Sequence, residues 1–169
     1  KYVGLRVGYA SGPFNVAGAW GRTQVSGGVP GQGLPDQNGT NWNIGASWNF
    51  GVVQLSGYYG DLTVRALDQS NWYIGLQAPL GLFTLKGSYG QVSRSGIEPF
   101  AANWDNQSAW QLALGGTYDL SKRTALYATY SHIDNSDGAA FVVGALQGGK
   151  YAATGGRGAN ESSQGFEVG

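Results

Sequence analysis

The chain has no cysteine and a single histidine in 169 residues, and its ten basic and ten acidic side chains cancel. Without thiols there is neither a disulfide framework nor a thiolate metal site. One imidazole among scattered carboxylates makes no metal-ligand constellation, so no metal and no cofactor is expected. A neutral chain lacks the basic footprint that nucleic acid selects, and no nucleic-acid partner is expected. Charged residues are only 12% of the sequence, against about a quarter in soluble domains. No apolar run reaches the ~18 residues of a transmembrane helix. No signal peptide is expected within these residues, because Lys1, Tyr2 and Val3 open directly on a strand pattern, as they would in a mature or truncated chain. What the chain has instead is glycine, at 30 residues, and aromatic rings, at 13%.

Those rings sit in a repeated pattern. From Trp110 the even positions read Trp110, Leu112, Leu114, Gly116, Tyr118 and Leu120, and the odd ones Gln111, Ala113, Gly115, Thr117 and Asp119. A period of two predicts a strand with one apolar and one polar face. Leu120 to Arg123 turns the chain, and a second strand runs from Thr124 to about Asp134. The same alternation predicts strands over Tyr2–Ala10, Phe14–Gly21, Trp42–Phe50, Val52–Tyr59, Trp72–Leu80 and Phe83–Gly90, and a last one over Gly165–Gly169. Short turns at Gly12, Gly51 and Gly81 alternate with long connections near residues 25–40, 61–70, 95–107 and 135–163. That rhythm belongs to a meander crossing a layer, with turns on one side and loops on the other. The expected fold is all-β: a transmembrane, antiparallel, up-and-down β-barrel, of which about nine strands are present.

The apolar faces place their rings at two heights. Near the long connections stand Trp20, Trp42, Tyr59, Trp72, Tyr89, Trp110 and Tyr130, and near the short turns Tyr9, Phe14, Phe50, Phe83 and Tyr118. From Trp110 to Tyr118 a strand tilted by about 40° climbs ~20 Å, close to the apolar band of an outer-membrane barrel. These twelve are expected to form lipid-facing aromatic girdles. The opposite faces carry polar groups that a dry core would leave unpaired. Arg6, Gln54, Lys86, Gln111, Asp119 and Glu167 are therefore expected to line a water-filled pore.

Two stretches carry a family resemblance. GGTYDLSKRTALYATYSHIDN (Gly115 to Asn135), followed after a long connection by GFEVG (Gly165 to Gly169), resembles the C-terminal end of the general porins of Gram-negative outer membranes, β-proteobacterial type. The resemblance implies a homotrimer of 16-stranded barrels through which small hydrophilic solutes and ions diffuse passively. It places the protein in the outer membrane, among lipid and lipopolysaccharide. Nine strands cannot close a bacterial meander barrel, which takes an even number. Residues 1–169 are thus expected to be one porin domain's C-terminal portion. The N-terminal half, with the family's constriction loop, lies outside them, so no constriction residue is carried over.

Each pointed feature has a plainer reading. Arg6 and Lys86 could form a basic track for anions, or be wall residues paired with carboxylates. Asp119 and Glu167 share a face, but nothing nearby orients a substrate, so no enzyme and no catalytic residue is expected. His132 is expected near a loop. Asp134 to Gly138 has a calcium-like composition without the spacing of a calcium loop, and reads as a turn. Gly27-Gly28, Gly148-Gly149 and Gly155-Gly156 do not sit between a strand and a helix, as a phosphate cradle requires. Two alternatives remain: a small outer-membrane barrel that anchors or adheres through its loops, and a soluble all-β carbohydrate-binding module.

Overall fold

The computed structural model describes residues 1–25, 37–64, 67–96, 106–143 and 158–169. The three glycine pairs named above lie outside the described residues. Among the described residues nine strands follow one another: β1 (Tyr2–Ser11), β2 (Phe14–Val25), β3 (Gln37–Asn49), β4 (Gln54–Val64), β5 (Leu67–Leu80), β6 (Phe83–Ser95), β7 (Gln107–Ser121), β8 (Thr124–Ser136) and β9 (Ser163–Val168). They form a single sheet in chain order, and every neighbouring pair is antiparallel. β1 and β9 are its two edges and do not pair with each other.

The tight turns follow from local chemistry. Gly12 (φ 54°) and Gly81 (φ 68°) take the first position of two-residue loops. Pro13 and Leu82 follow at negative φ, the arrangement whose twist matches the flanking strands. At the β7–β8 turn the register slips between Asp119 and Ser121, leaving Leu120 as an extra residue in the ladder.

One connection differs from the reading of the sequence. Asp61 to Ser70 is not a long loop: β4 continues to Val64, β5 starts at Leu67, and the two stay paired throughout. The Thr63 hydroxyl donates to Asp68 Oδ1 at 2.7 Å across this extension. The pattern misled because it inverts. Leu62 and Val64 stand opposite Asn41 and Gly39, on the polar face. Apolar and polar faces keep their meaning only between the aromatic bands. On the expected barrel, both sides of a strand beyond those bands meet a polar medium.

The sheet has almost no core of its own. Among the described residues, the buried apolar side chains are Ala109, Ile133 and Ala139. Leu5 is 67% exposed, and Ile74, Leu114 and Leu126 are each 52% exposed. Strand pairing satisfies the backbone, but burial of apolar area, the main driving force of a water-soluble fold, is missing. Something other than the chain must cover the apolar face.

Candidate pore lining

The strand registers sort the side chains into two faces. Gln54 stands opposite Gln77, Gln77 opposite Lys86, Lys86 opposite Gly115, Gly115 opposite Thr129, and Thr129 opposite Glu167. Because directly opposed residues share a face, these six form one row across β4 to β9. Arg6 lies on the same face through Ala19, Asn43 and Gly60. Gln111, opposite Gly90, and Asp119, opposite Ala125, complete the set of six expected from the sequence. All six therefore share the polar face.

They are not gathered into a reactive cluster. Asp119 is four residues along β7 from the row of Glu167 and two strands away. That is about 13 Å along the strand and ~10 Å across it. Glu167 accepts a hydrogen bond from the Tyr127 hydroxyl at 2.8 Å. Such spacing suits a wall of separate polar contacts, not a shared proton.

The other face holds the rings. At the loop end Trp42 packs on Tyr59 (centroids 5.3 Å apart), Trp72 on Tyr89 (5.7 Å) and Tyr89 on Trp110 (5.9 Å). Trp20 stands opposite Trp42. Tyr130, opposite Leu114 and Phe166, falls on this face as well. At the turn end Phe14 meets Trp48 at 5.7 Å, Trp48 meets Phe50 at 6.1 Å, and Phe83 meets Tyr118 at 6.5 Å. Tyr9, opposite Val16 and 63% exposed, completes that band. The register thus puts the ring-bearing strand positions of both bands on one face.

Several participants were given no part in either the girdles or the pore lining by the sequence. Trp48 belongs to the turn-end band, and the alternation that placed it on the apolar face was the available signal. His132 is part of the loop-end band, 5.3 Å from Trp110. Tyr58 and Tyr73 carry rings on the polar face, opposite each other. The fourth group is a short inward fold after β8. The Asn135 amide donates to the carbonyls of Phe141 (2.9 Å) and Glu161 (2.6 Å), and its oxygen accepts from Phe141 N–H (2.8 Å). Asn160 Oδ1 accepts from Gly138 N–H at 2.7 Å, and Ser163 Oγ accepts from Val143 N–H at 3.2 Å. These bonds bring residues 138–143 over the polar face, burying Ala109, Ile133, Asn135 and Ser163. Arg94, whose Nε donates to Gln69 at 2.6 Å, lies 4.3 Å above the Phe141 ring. No sequence signal marks that fold, because it depends on a polar residue meeting backbone groups 6 and 26 positions away.

With this geometry in hand, comparison with known proteins is decisive. The family model for Gram-negative porins matches residues 1–138. The chain belongs to the Gram-negative porin family. Outer membrane porin protein 32 of Delftia acidovorans is 31% identical over 175 residues, covering all of this chain and 45% of that protein. A solved anion-selective porin from Comamonas acidovorans superposes with a TM-score of 0.81 at 28% identity, over 99% of this chain and 47% of that one. OmpT of Vibrio cholerae, in its in-vitro folded form, shares the fold at a TM-score of 0.68 and 16% identity, over 99% of this chain and 54% of that one. This porin chain thus spans about half the length of the relatives it matches. Its sheet is an outer-membrane β-barrel wall.

Proposed function

We propose that the porin chain is the C-terminal portion of a larger barrel, and that its polar face lines a water-filled channel for passive diffusion of small hydrophilic solutes and ions. The observation that carries this is the inversion of the two faces. Apolar side chains stand uncovered on one side, while the row from Gln54 to Glu167 crosses the other. Edges left open at β1 and β9 would strand backbone groups in hydrocarbon. Further strands of a longer chain close the barrel, a reading supported by the half-length match to the relatives. Diffusion needs no chemistry, and the separated carboxylates suit a channel rather than an enzyme.

The homotrimer and contact with lipopolysaccharide belong to this proposal through the resemblance to general porins. A bias toward anions extends it. Arg6, Lys86 and Arg94 stand on the polar face, Glu167 is engaged by Tyr127, and the Comamonas acidovorans relative is named as anion-selective. Conductance across planar bilayers tests the whole reading. Stepwise openings of the complete barrel in potassium chloride are expected, with a reversal potential favouring chloride. A protein that inserts and gives no steps would defeat the channel.

A further inference from the structure

We infer that the polar face holds a subsite for planar aromatic carboxylates, built on the Tyr58–Tyr73 stack and Arg6. The inference rests on this face being the channel lumen. Among the described strand positions four tyrosines share the polar face, Tyr2, Tyr58, Tyr73 and Tyr127, and of these Tyr58 and Tyr73 stack on each other. Tyr58 on β4 and Tyr73 on β5 stand directly opposite, with centroids 5.4 Å apart and planes within 16° of parallel. Their partner positions on the outer strands are glycines, Gly45 on β3 and Gly90 on β6. The stack spans the β4–β5 boundary, so the free face of Tyr58 looks toward β3. A methyl group built on Gly45 would lie 3.7 Å from the Tyr58 ring, yet no side chain is there.

That side opens into a groove of about 400 Å³, lined by Tyr58, Tyr73, Asn43, Gln54, Ser56 and Arg6. The backbones of β1 and β4 are ~14 Å apart across it. Arg6 is exposed and makes no hydrogen bond or ion pair among the described residues. Tyr127, by contrast, uses its hydroxyl on Glu167. A flat ring can continue the tyrosine stack in offset geometry. A carboxylate in the plane of that ring would share the groove with the Arg6 guanidinium, whose fork matches it. A saturated ring of the same charge meets the guanidinium but cannot stack.

Ion current through the complete barrel reads this directly, with sodium benzoate and sodium cyclohexanecarboxylate as probes of equal charge and similar size. Benzoate should reduce chloride current at about two- to tenfold lower concentration than cyclohexanecarboxylate, the factor that ring stacking contributes. The Tyr58→Leu, Tyr73→Leu double variant keeps side chains over the neighbouring glycines and should bring the two acids to equal potency. Arg6→Gln should weaken both acids alike and leave their ratio in place. Equal potency of the two acids in the unaltered protein would overturn the subsite while leaving the channel standing. Absence of chloride steps would overturn the channel reading, and the subsite with it.

Discussion

Asn135 and Phe141 grip each other at both ends of one amide group: the side-chain nitrogen donates to the Phe141 carbonyl at 2.9 Å, and the side-chain oxygen accepts from the Phe141 N–H at 2.8 Å. The same nitrogen also reaches Glu161 O, so one buried side chain joins both ends of the last long connection to the wall. Replacing it by alanine removes these part-buried hydrogen bonds, each contributing about 0.5–1.5 kcal/mol. Asn135→Ala should therefore raise amide exchange and protease cleavage around residues 138–143 while the strands stay protected. It should also widen single-channel conductance, because Phe141 is no longer held over the lumen. Unchanged exchange in that segment would contradict the clamp.

Leu114 lies midway between Trp110 and Tyr118 on β7, at the level expected for the middle of the apolar band. An arginine there should destabilise the folded barrel by about 2–4 kcal/mol, the cost of a cation at the bilayer midplane. Gln111→Arg, on the polar face, should cost far less. Reversible urea unfolding in phospholipid vesicles compares them. Equal losses would mean that the two faces see the same medium.

Gly90 stands opposite Tyr73, and a methyl group there would lie 2.6 Å from Trp72 O and 2.8 Å from Tyr73 Cβ. Neither neighbour is the free end of a flexible side chain, so the strands must part. Gly90→Ala should lose about 1–3 kcal/mol of stability. Gly57→Ala, where nothing lies within 4 Å of the new group, should be close to neutral. The unfolding midpoints of the pair measure the difference.

Much of this wall was legible in the sequence, and the reason is physical. Between the aromatic bands the proposed wall has hydrocarbon on one face and water on the other, so alternation maps directly onto geometry, as from Trp110 to Tyr118. Outside the bands the code lapses. Leu62 and Val64 turn to the polar face, and the β4–β5 extension was read as a loop. The Asn135 clamp was invisible for a different reason: it joins a side chain to backbone carbonyls far along the chain, and backbone carries no residue-type signal. Tyr58 and Tyr73 were assigned to the right face by parity, but only the register showed them opposite each other.

Lys86 contributes the cation in the polar row. Lys86→Glu changes the wall by two unit charges. For a monovalent ion ~8 Å away in water-like dielectric, that alters its energy by about 1 kcal/mol. The reversal potential in dilute potassium chloride should shift toward cation preference. In 1 M salt, where charges are screened within about 3 Å, most of the shift should vanish. A shift that persists at high salt would place the lysine's effect elsewhere than in the field of the pore.

The central claim is that alternate residues of one strand meet water and lipid, and Ala113 and Leu114 test it within a single step along β7. Each is replaced by cysteine in a stretch of 169 residues that has none, and labelling of the membrane-inserted barrel is followed with a charged, membrane-impermeant thiol reagent and a lipid-soluble one. Ala113→Cys should react with the charged reagent, and Leu114→Cys only with the lipid-soluble reagent. The opposite pattern, or equal labelling of both by the charged reagent, would contradict the assignment of the two faces.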